Sequence, residues 1–280
     1  MHLGPATEVL GSRMPATPAG SGVGSIDHRP RTTHPSLYIC GDVHLRGEAG
    51  TFGRFLDRLA ARPPARLVIL GDLFEYWLET DAAVARHADV FARLRGLAAA
   101  GWRLDLIRGN RELAAGRRLE TASGCRLHWP RLDVTLGAVR VRIVHGDRLC
   151  HDPGYRFFSA WMGGFWMRAW QQVHPPAVQD AIARLLRARS RSLQLGRHAR
   201  PRRSRVFIDR RRVQAAARGA DVLVAGHIHE AWRRPVGGVD LILVGDWPGS
   251  LGQWVEGWAD GHLERHAEVL TKPGAGFSSA

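Results

Sequence analysis

Lysine is almost missing from this chain: Lys272 is the only one in 280 residues, so arginine carries nearly all of the positive side of a formal charge of +14. Arginine in place of lysine can follow genome composition, so the charge is informative and the choice of residue is not. A basic chain favours anionic partners, whether phosphates, nucleic acid or an acidic membrane face. Cysteine is scarce too. Cys40, Cys125 and Cys150 are odd in number and lack a C-x-x-C spacing, which argues against a disulfide framework and a zinc ribbon. Long apolar runs are also absent. The most apolar stretch, Phe157 to Trp170, is short and broken by Arg168, so no bilayer-spanning helix is expected. No early segment joins a basic start to a long apolar run, so no secretory signal is expected and the chain reads as cytoplasmic.

What is present is a globular composition, 45% hydrophobic with ten tryptophans, and enough length for one large α/β domain or two small ones. The organising feature is a repeated strand end. Leu37-Tyr38-Ile39-Cys40 runs into Gly41-Asp42-Val43-His44, and Leu67-Val68-Ile69-Leu70 into Gly71-Asp72. Leu104-Asp105-Leu106-Ile107 leads to Gly109-Asn110-Arg111-Glu112, Val141-Arg142-Ile143-Val144 to His145-Gly146-Asp147, and Val222-Leu223-Val224-Ala225 to Gly226-His227-Ile228-His229. Five times an apolar run ends in Asp, Asn or His beside a glycine, at the sheet edge where α/β proteins keep their ligands.

Residues 1–35, rich in Gly, Pro, Ala, Ser and Thr, are expected to be a disordered tail, with Met14 a candidate initiator. Helical spacing recurs over Ala49–Ala61 and Ala82–Ala99, between the first three strands. Strand–helix–strand order there implies right-handed crossovers and a mostly parallel sheet. Short runs follow at Arg126–Trp129, Leu132–Leu136 and Val139–Val144 with hairpin-like punctuation, the middle turn at Gly137. Residues of about 152–213 read as a helical insertion, aromatic over Tyr155–Gln171 and arginine-dense over Arg197–Arg212. Leu241–Val244, Leu251–Trp258 and His262–Val269 read as antiparallel strands. The ordered domain is placed at 36–270, with a flexible C-terminus over 271–280.

Carboxylate, imidazole and amide oxygen at seven strand-end positions form a ligand set for borderline divalent metals such as Mn, Fe, Zn or Co. A dinuclear site needs one bridging carboxylate and about three further ligands per ion. The inventory supplies Asp42, His44 and one late histidine for one ion, Asn110, His145 and the other for the second, and Asp72 between them. Singly, each Asp is better read as a helix cap and each His as a hydrogen-bonded core group. Jointly, that reading needs five independent coincidences of residue type, position and flanking glycine.

The order D-x-H, G-D, G-N, H-G-D, G-H-x-H, spread over Asp42 to His229, resembles the calcineurin-like metallophosphoesterase family. The resemblance implies an α/β (mixed α+β) fold, a two-sheet sandwich flanked by helices. It implies Asp42, His44, Asp72 and His229 around one metal and Asp72, Asn110, His145 and His227 around the other. Most members have His after the Asn; here the residue is Arg111. That departure, with Gly71–Trp77, His145–Tyr155 and Gly245-Asp246-Trp247, looks like the UDP-2,3-diacylglucosamine hydrolase branch. The branch implies a helical cap over two acyl chains and cleavage of a nucleotide lipid to UMP and a lipid 1-phosphate in lipid A synthesis. The resemblance also implies two divalent ions, Mn foremost, that would activate a water for attack on the α-phosphorus, with Asn110, Arg111 and His227 at the reacting centre.

Arg111 cannot give up a proton at working pH, so it is no general acid. It can brace a pyrophosphate through paired hydrogen bonds and stabilise transition-state charge. By the resemblance, Arg111, Asp152, Tyr155, Arg187, Ser190 and Arg203 contact substrate, and Asp147 and Asp246 orient ligands. The apolar rows of Tyr155–Trp170 beside a cationic rim suit an acylated phosphate and peripheral contact with the inner face of a membrane. Two other readings stay open: a general phosphatase or phosphodiesterase on another nucleotide or phosphoprotein, and a nucleic-acid-binding protein or nuclease. No RNA- or DNA-binding motif of recognisable spacing is present, so no specific nucleic-acid partner is expected. The oligomeric state leaves no signal.

Overall fold

The structure is a computed structural model and describes residues 33–112, 114–150 and 208–271, with Val178 alone between. Alternation along the strands decides the layering. In β1 (Leu37–Cys40), Leu37 and Ile39 face one way and Tyr38 and Cys40 the other, and all four are buried. A strand buried on both faces needs a layer on each. The first face meets a second sheet, and the other meets helices.

The first sheet has six strands in the order β11-β10-β1-β2-β3-β4. β1, β2 (Arg66–Ile69), β3 (Arg103–Ile107) and β4 (Arg126–His128) run parallel, and β10 (Leu251–Gly257) and β11 (Leu263–Val269) continue the sheet antiparallel. The second has five, β5-β6-β7-β9-β8, from β5 (Arg131–Leu136), β6 (Val139–Val144), β7 (Val222–Ala225), β8 (Ala231–Val236) and β9 (Val239–Val244). Leu37, Ile39, Val68, Leu70 and Ile107 of the first sheet pack against Val141, Ile143, Val224, Ile242 and Val244 of the second. This is the sandwich interior.

Tyr38, Leu67, Ile69, Leu104 and Leu106 face the helices α1 (Gly50–Ala60), α2 (Asp81–Arg86), α3 (Ala88–Ala99) and α4 (Arg117–Ser123). Phe52, Phe55, Leu56 and Leu59 of α1 are fully buried there, each burial worth about 1.5–3 kcal/mol. On the far side of the second sheet, Val213 of α5 (Arg210–Ala216) packs with Leu223, Leu241 and Leu243. The expected insertion boundary near 213 therefore falls inside a helix that packs on the sheet. Residues 152–177 and 179–207, the bulk of the expected cap, lie outside the described residues, as do tail residues 1–32 and C-terminal residues 272–280.

Four local expectations need correction. Arg126–Trp129 gives no hairpin strand: β4 joins the first sheet in parallel with β3. Leu241–Val244 pairs antiparallel with β8 but parallel with β7. The helix α4 and the edge strand β8 add to the expected elements and carry no apolar run in the sequence: α4 is mostly polar, and β8 has two arginines and Pro235. The expected helix Ala82–Ala99 breaks at His87 (φ −110°), where Thr80 caps α2 by accepting from Ala83 N–H and α3 starts afresh.

His87 turns inward there against Phe74, Trp77 and Phe91. Burial, helped by the Arg86 charge, lowers its imidazole pKa to about 4. The unfolded chain binds that proton from about pH 6.5 and the folded chain only near 4. Its contribution is therefore full above 6.5 and is lost as pH falls through that window. With allowance for solvent screening the loss is on the order of 2 kcal/mol. His87→Phe is expected to flatten the fall of Tm between pH 6.5 and 4; parallel Tm–pH curves for the two proteins would refute this role.

Candidate metal centre

The carboxyl ends of β1, β2 and β3 in one sheet and of β6 and β7 in the other open onto one edge of the sandwich. Each ends in a short polar turn, and those turns are backbone-linked. Asp42 N–H donates to Gly71 C=O and His44 N–H to Asp72 C=O, both at 3.0 Å, while Gly226 N–H donates to His145 C=O at 2.9 Å.

Five non-glycine residues have positive φ among the described residues: Asp42 (51°), His44 (56°), Asp72 (49°), His227 (69°) and His229 (58°). All five are residues picked out at the strand ends. Holding such conformations costs roughly 1–3 kcal/mol each. Together that rivals the net stability of a domain, ~5–15 kcal/mol, so the surroundings must enforce it. The flanking glycines serve by close approach. A Cβ on Gly109 would strike the backbone nitrogen and Oδ1 of Asp72, and one on Gly226 would strike Oδ2 of Asp42.

The geometry gathers two groups whose ligand atoms lie within 4.8 Å of one another: Asp42, His44 and His229, and Asp72, His145 and His227. His44 Nε2 stands 3.2 Å from His229 Nε2. His145 Nε2 is 2.9 Å from Asn110 Oδ1 and 3.7 Å from Asp72 Oδ1, and His227 Nδ1 is 3.2 Å from both Asn110 Oδ1 and His145 Nε2. All seven residues chosen from the sequence as ligands thus stand at one edge. Arg111 joins them, its N–H donating to Asp72 Oδ1 at 2.9 Å and its Nε 3.5 Å from Asp72 Oδ2. Asp152, Tyr155, Arg187, Ser190 and Arg203 lie outside the described residues.

Several polar atoms here suit a cation between them. Asp42 Oδ1 and His44 Nδ1 are buried without a hydrogen-bond partner among the described residues. The Asn110 side-chain oxygen faces Asp72 Oδ2 at 2.8 Å and two imidazole nitrogens, acceptor against acceptor, a contact relieved by turning the amide or by a cation among them. Oxygen and imidazole nitrogen in this proportion fit divalent ions of intermediate softness.

Charge is arranged accordingly. Burial lowers the pKa of His44 and His227 to about 4, with His145 adding to the effect on His227, and burial lowers His229 as well, so these rings are neutral with lone pairs to offer. Burial would push Asp72 up, but the positive charges beside it, His145 first and Arg111 with it, outweigh that and lower its pKa. His145 is the exception. Burial opposes its charge, yet Asp72, Asp42 and Asp147 raise it to about 9. Its Nδ1–H donates to Leu70 C=O at 2.9 Å, which leaves Nε2 as the ligand atom. A proton and a metal ion therefore compete for Nε2. His229 Nδ1 lies 3.6 Å from Asp246 Oδ2, which orients that ring.

Residues 35–231 match the sequence pattern of the calcineurin-like phosphoesterases. The chain belongs to that family. This calcineurin-like phosphoesterase is 33% identical over 231 residues to the UDP-2,3-diacylglucosamine hydrolase of Ralstonia nicotianae, covering 78% of this chain and 85% of the relative. To the enzyme of the same name from Pseudomonas aeruginosa it is 32% identical over 242 residues, covering 82% and 98%. A solved archaeal phosphodiesterase is similar at 11% identity and a TM-score of 0.39, over 83% of this chain and 99% of the other. The chain is a metal-dependent hydrolase of this branch with two candidate metal sites.

Sequence reasoning passed over Glu112. Its carboxylate is fully buried and accepts from Asp72 N–H (2.8 Å), Gly109 N–H (3.1 Å) and Phe74 N–H (3.0 Å), tying the second and third strand-end turns together. The signal was its position two residues after Asn110 in a stretch otherwise read for ligands.

Proposed function

We propose that this enzyme hydrolyses the pyrophosphate of UDP-2,3-diacylglucosamine to UMP and 2,3-diacylglucosamine 1-phosphate, a step in lipid A synthesis. The observation that carries the reading is Arg111, a fixed cation at the metal-ligand edge of a chain resembling hydrolases of that name. Asp42, His44, Asp72 and His229 would hold one divalent ion, Mn foremost, and Asp72, Asn110, His145 and His227 the other. When bound, the two ions supply Lewis acidity toward phosphoryl oxygen and lower the pKa of water.

The protein's own part is positioning. Asp72 pins the Arg111 backbone from one side, and the Arg111 carbonyl accepts Trp77 N–H at 3.0 Å from the other. The side chain stays one-fifth exposed, so the guanidinium can reach phosphoryl oxygens while always charged. Attack at the α-phosphorus releases the sugar 1-phosphate, a group that departs without a proton donor. Arginine where a general acid could stand agrees with that chemistry. Neutral His44, His227 and His229 are poised to bind ions rather than protons. The substrate contacts of Asp152, Tyr155, Arg187, Ser190 and Arg203 remain part of the proposal. No helix among the described residues is long and apolar enough to cross a membrane. A cytoplasmic enzyme meeting the inner membrane face through its basic surface suits a lipid substrate.

Purified protein with Mn and UDP-2,3-diacylglucosamine is expected to release UMP, and a chelator to abolish the release. UDP or free phosphate as the nucleotide-side product, or turnover that survives chelation, would overturn the assignment.

A further inference from the structure

We propose that Trp129 is the platform on which the base of a nucleotide substrate stacks, with Arg148 holding the indole in place. The inference rests on the substrate reading above and names the part of the same site that takes the base.

Two chain segments from different sheets bring these side chains together. β4 ends at His128, which pairs with Ile107, and Arg108 N–H donates to His128 C=O at 3.0 Å. Trp129 therefore leaves the first sheet level with Arg108, two residues before Asn110. Arg148 belongs to the 3-10 turn Asp147–Leu149, which starts two residues after His145 at the end of β6 in the second sheet. Both segments end at the edge that carries the two ligand groups. There the Arg148 guanidinium carbon lies 4.7 Å from the centroid of the Trp129 ring.

Despite that contact Trp129 is 59% exposed, the most exposed large hydrophobic side chain among the described residues. A single exposed tryptophan is ordinary on a protein surface. This one differs in place and in support. It stands at the rim of a phosphoester site, and a cation braces its ring, which fixes the plane of the indole. A pyrimidine offers a π-face, and stacking on an exposed aromatic is a sequence-tolerant way to hold a base. With the diphosphate placed by Arg111 and the ligand groups, a base one ribose away needs a flat apolar surface beside the site rather than inside it. Arg148 adds a positive charge next to that surface, favourable for the phosphate-bearing end of the same ligand.

The test is direct binding of UMP and of ribose 5-phosphate to the full-length, Mn-loaded protein by calorimetry, for wild type, Trp129→Ala and Trp129→Phe. Ribose 5-phosphate keeps the sugar and phosphate and lacks the base. Wild type is expected to prefer UMP by ~10-fold or more. Trp129→Ala should bring UMP down to the affinity of ribose 5-phosphate, and Trp129→Phe should keep most of the preference. Ribose 5-phosphate affinity and Tm should be unchanged in both variants. A preference that persists in Trp129→Ala, or is missing from wild type, overturns the platform. So does an equal loss for both ligands or a lowered Tm in both variants, since the indole would then serve the fold or dock residues 151–207. UMP release from the nucleotide lipid without a base preference removes the platform alone; a Trp129-dependent preference without lipid turnover removes the substrate reading alone.

Discussion

Asp72→Ala is expected to lower phosphoesterase turnover ~10³-fold or more and to reduce bound metal from two ions per chain to one at most. Asp72 belongs to one ligand group and also acts on the charge of His44 and His229 in the other. Asp72 Oδ1 lies 3.7 Å from His145 Nε2. It is fully buried, yet His145 and Arg111 hold its pKa below the usual carboxylate value, so an anion sits among the imidazoles. Removing the anion leaves His145 without the charge that does most to offset its burial, and leaves Arg111 N–H without its acceptor. Asp72→Asn keeps the shape and removes only the charge, so it separates loss of metal from loss of fold. The readouts are turnover with Mn and metal content by elemental analysis. Two ions retained in either variant would place the bridge elsewhere.

How much of this could be read from the chain depends on the range of the interaction. β1, β2, β3, β6 and β7 were legible because each is an apolar run closed by a glycine and a polar residue. The set Asp42, His44, Asp72, Asn110, His145, His227 and His229 was read from the repeated strand ends and the residue types, and its division between two metals from the family resemblance. The side of β9 that pairs with β7 was not legible, since a strand of Leu and Ile looks the same in parallel and antiparallel company. Nor was Asp105, which interrupts β3 and is fully buried, because its partners Arg66 (2.7 Å) and His128 (2.5 Å) come from neighbouring strands. The left-handed backbone at five ligand positions also leaves no mark in composition. Asp and His are tolerated there, but the sheet edges impose it. The glycines beside them were visible as turn formers, whereas Gly109 and Gly226 are required because neighbouring carboxylates approach their α-carbons.

Glu112→Ala is expected to cost about 3–5 kcal/mol of stability, from the backbone N–H groups of Asp72, Phe74 and Gly109 left buried without an acceptor at roughly 1–3 kcal/mol each. At about 2–4 °C per kcal/mol for a chain of this size, Tm should fall by on the order of 10 °C. The effect should reach the metal centre, because the same carboxylate holds the Asp72 backbone in its strained conformation at φ 49° and fixes the glycine before Asn110. Metal affinity should therefore fall ~10–100-fold even where the variant is fully folded. Burial and the neighbouring Asp72 raise the Glu112 pKa, while its backbone donors pull the other way, and both of its oxygens accept N–H groups. Glu112→Gln keeps one acceptor oxygen and should recover part of the stability while still loosening the turn. The two variants are compared by thermal unfolding and by Mn titration below the unfolding temperature. A Tm within 2 °C of wild type for Glu112→Ala, or full metal affinity in both variants, would mean that the Asp72 turn holds its geometry without this carboxylate. The left-handed conformations would then be enforced by the paired turns of Asp42 and His44 alone.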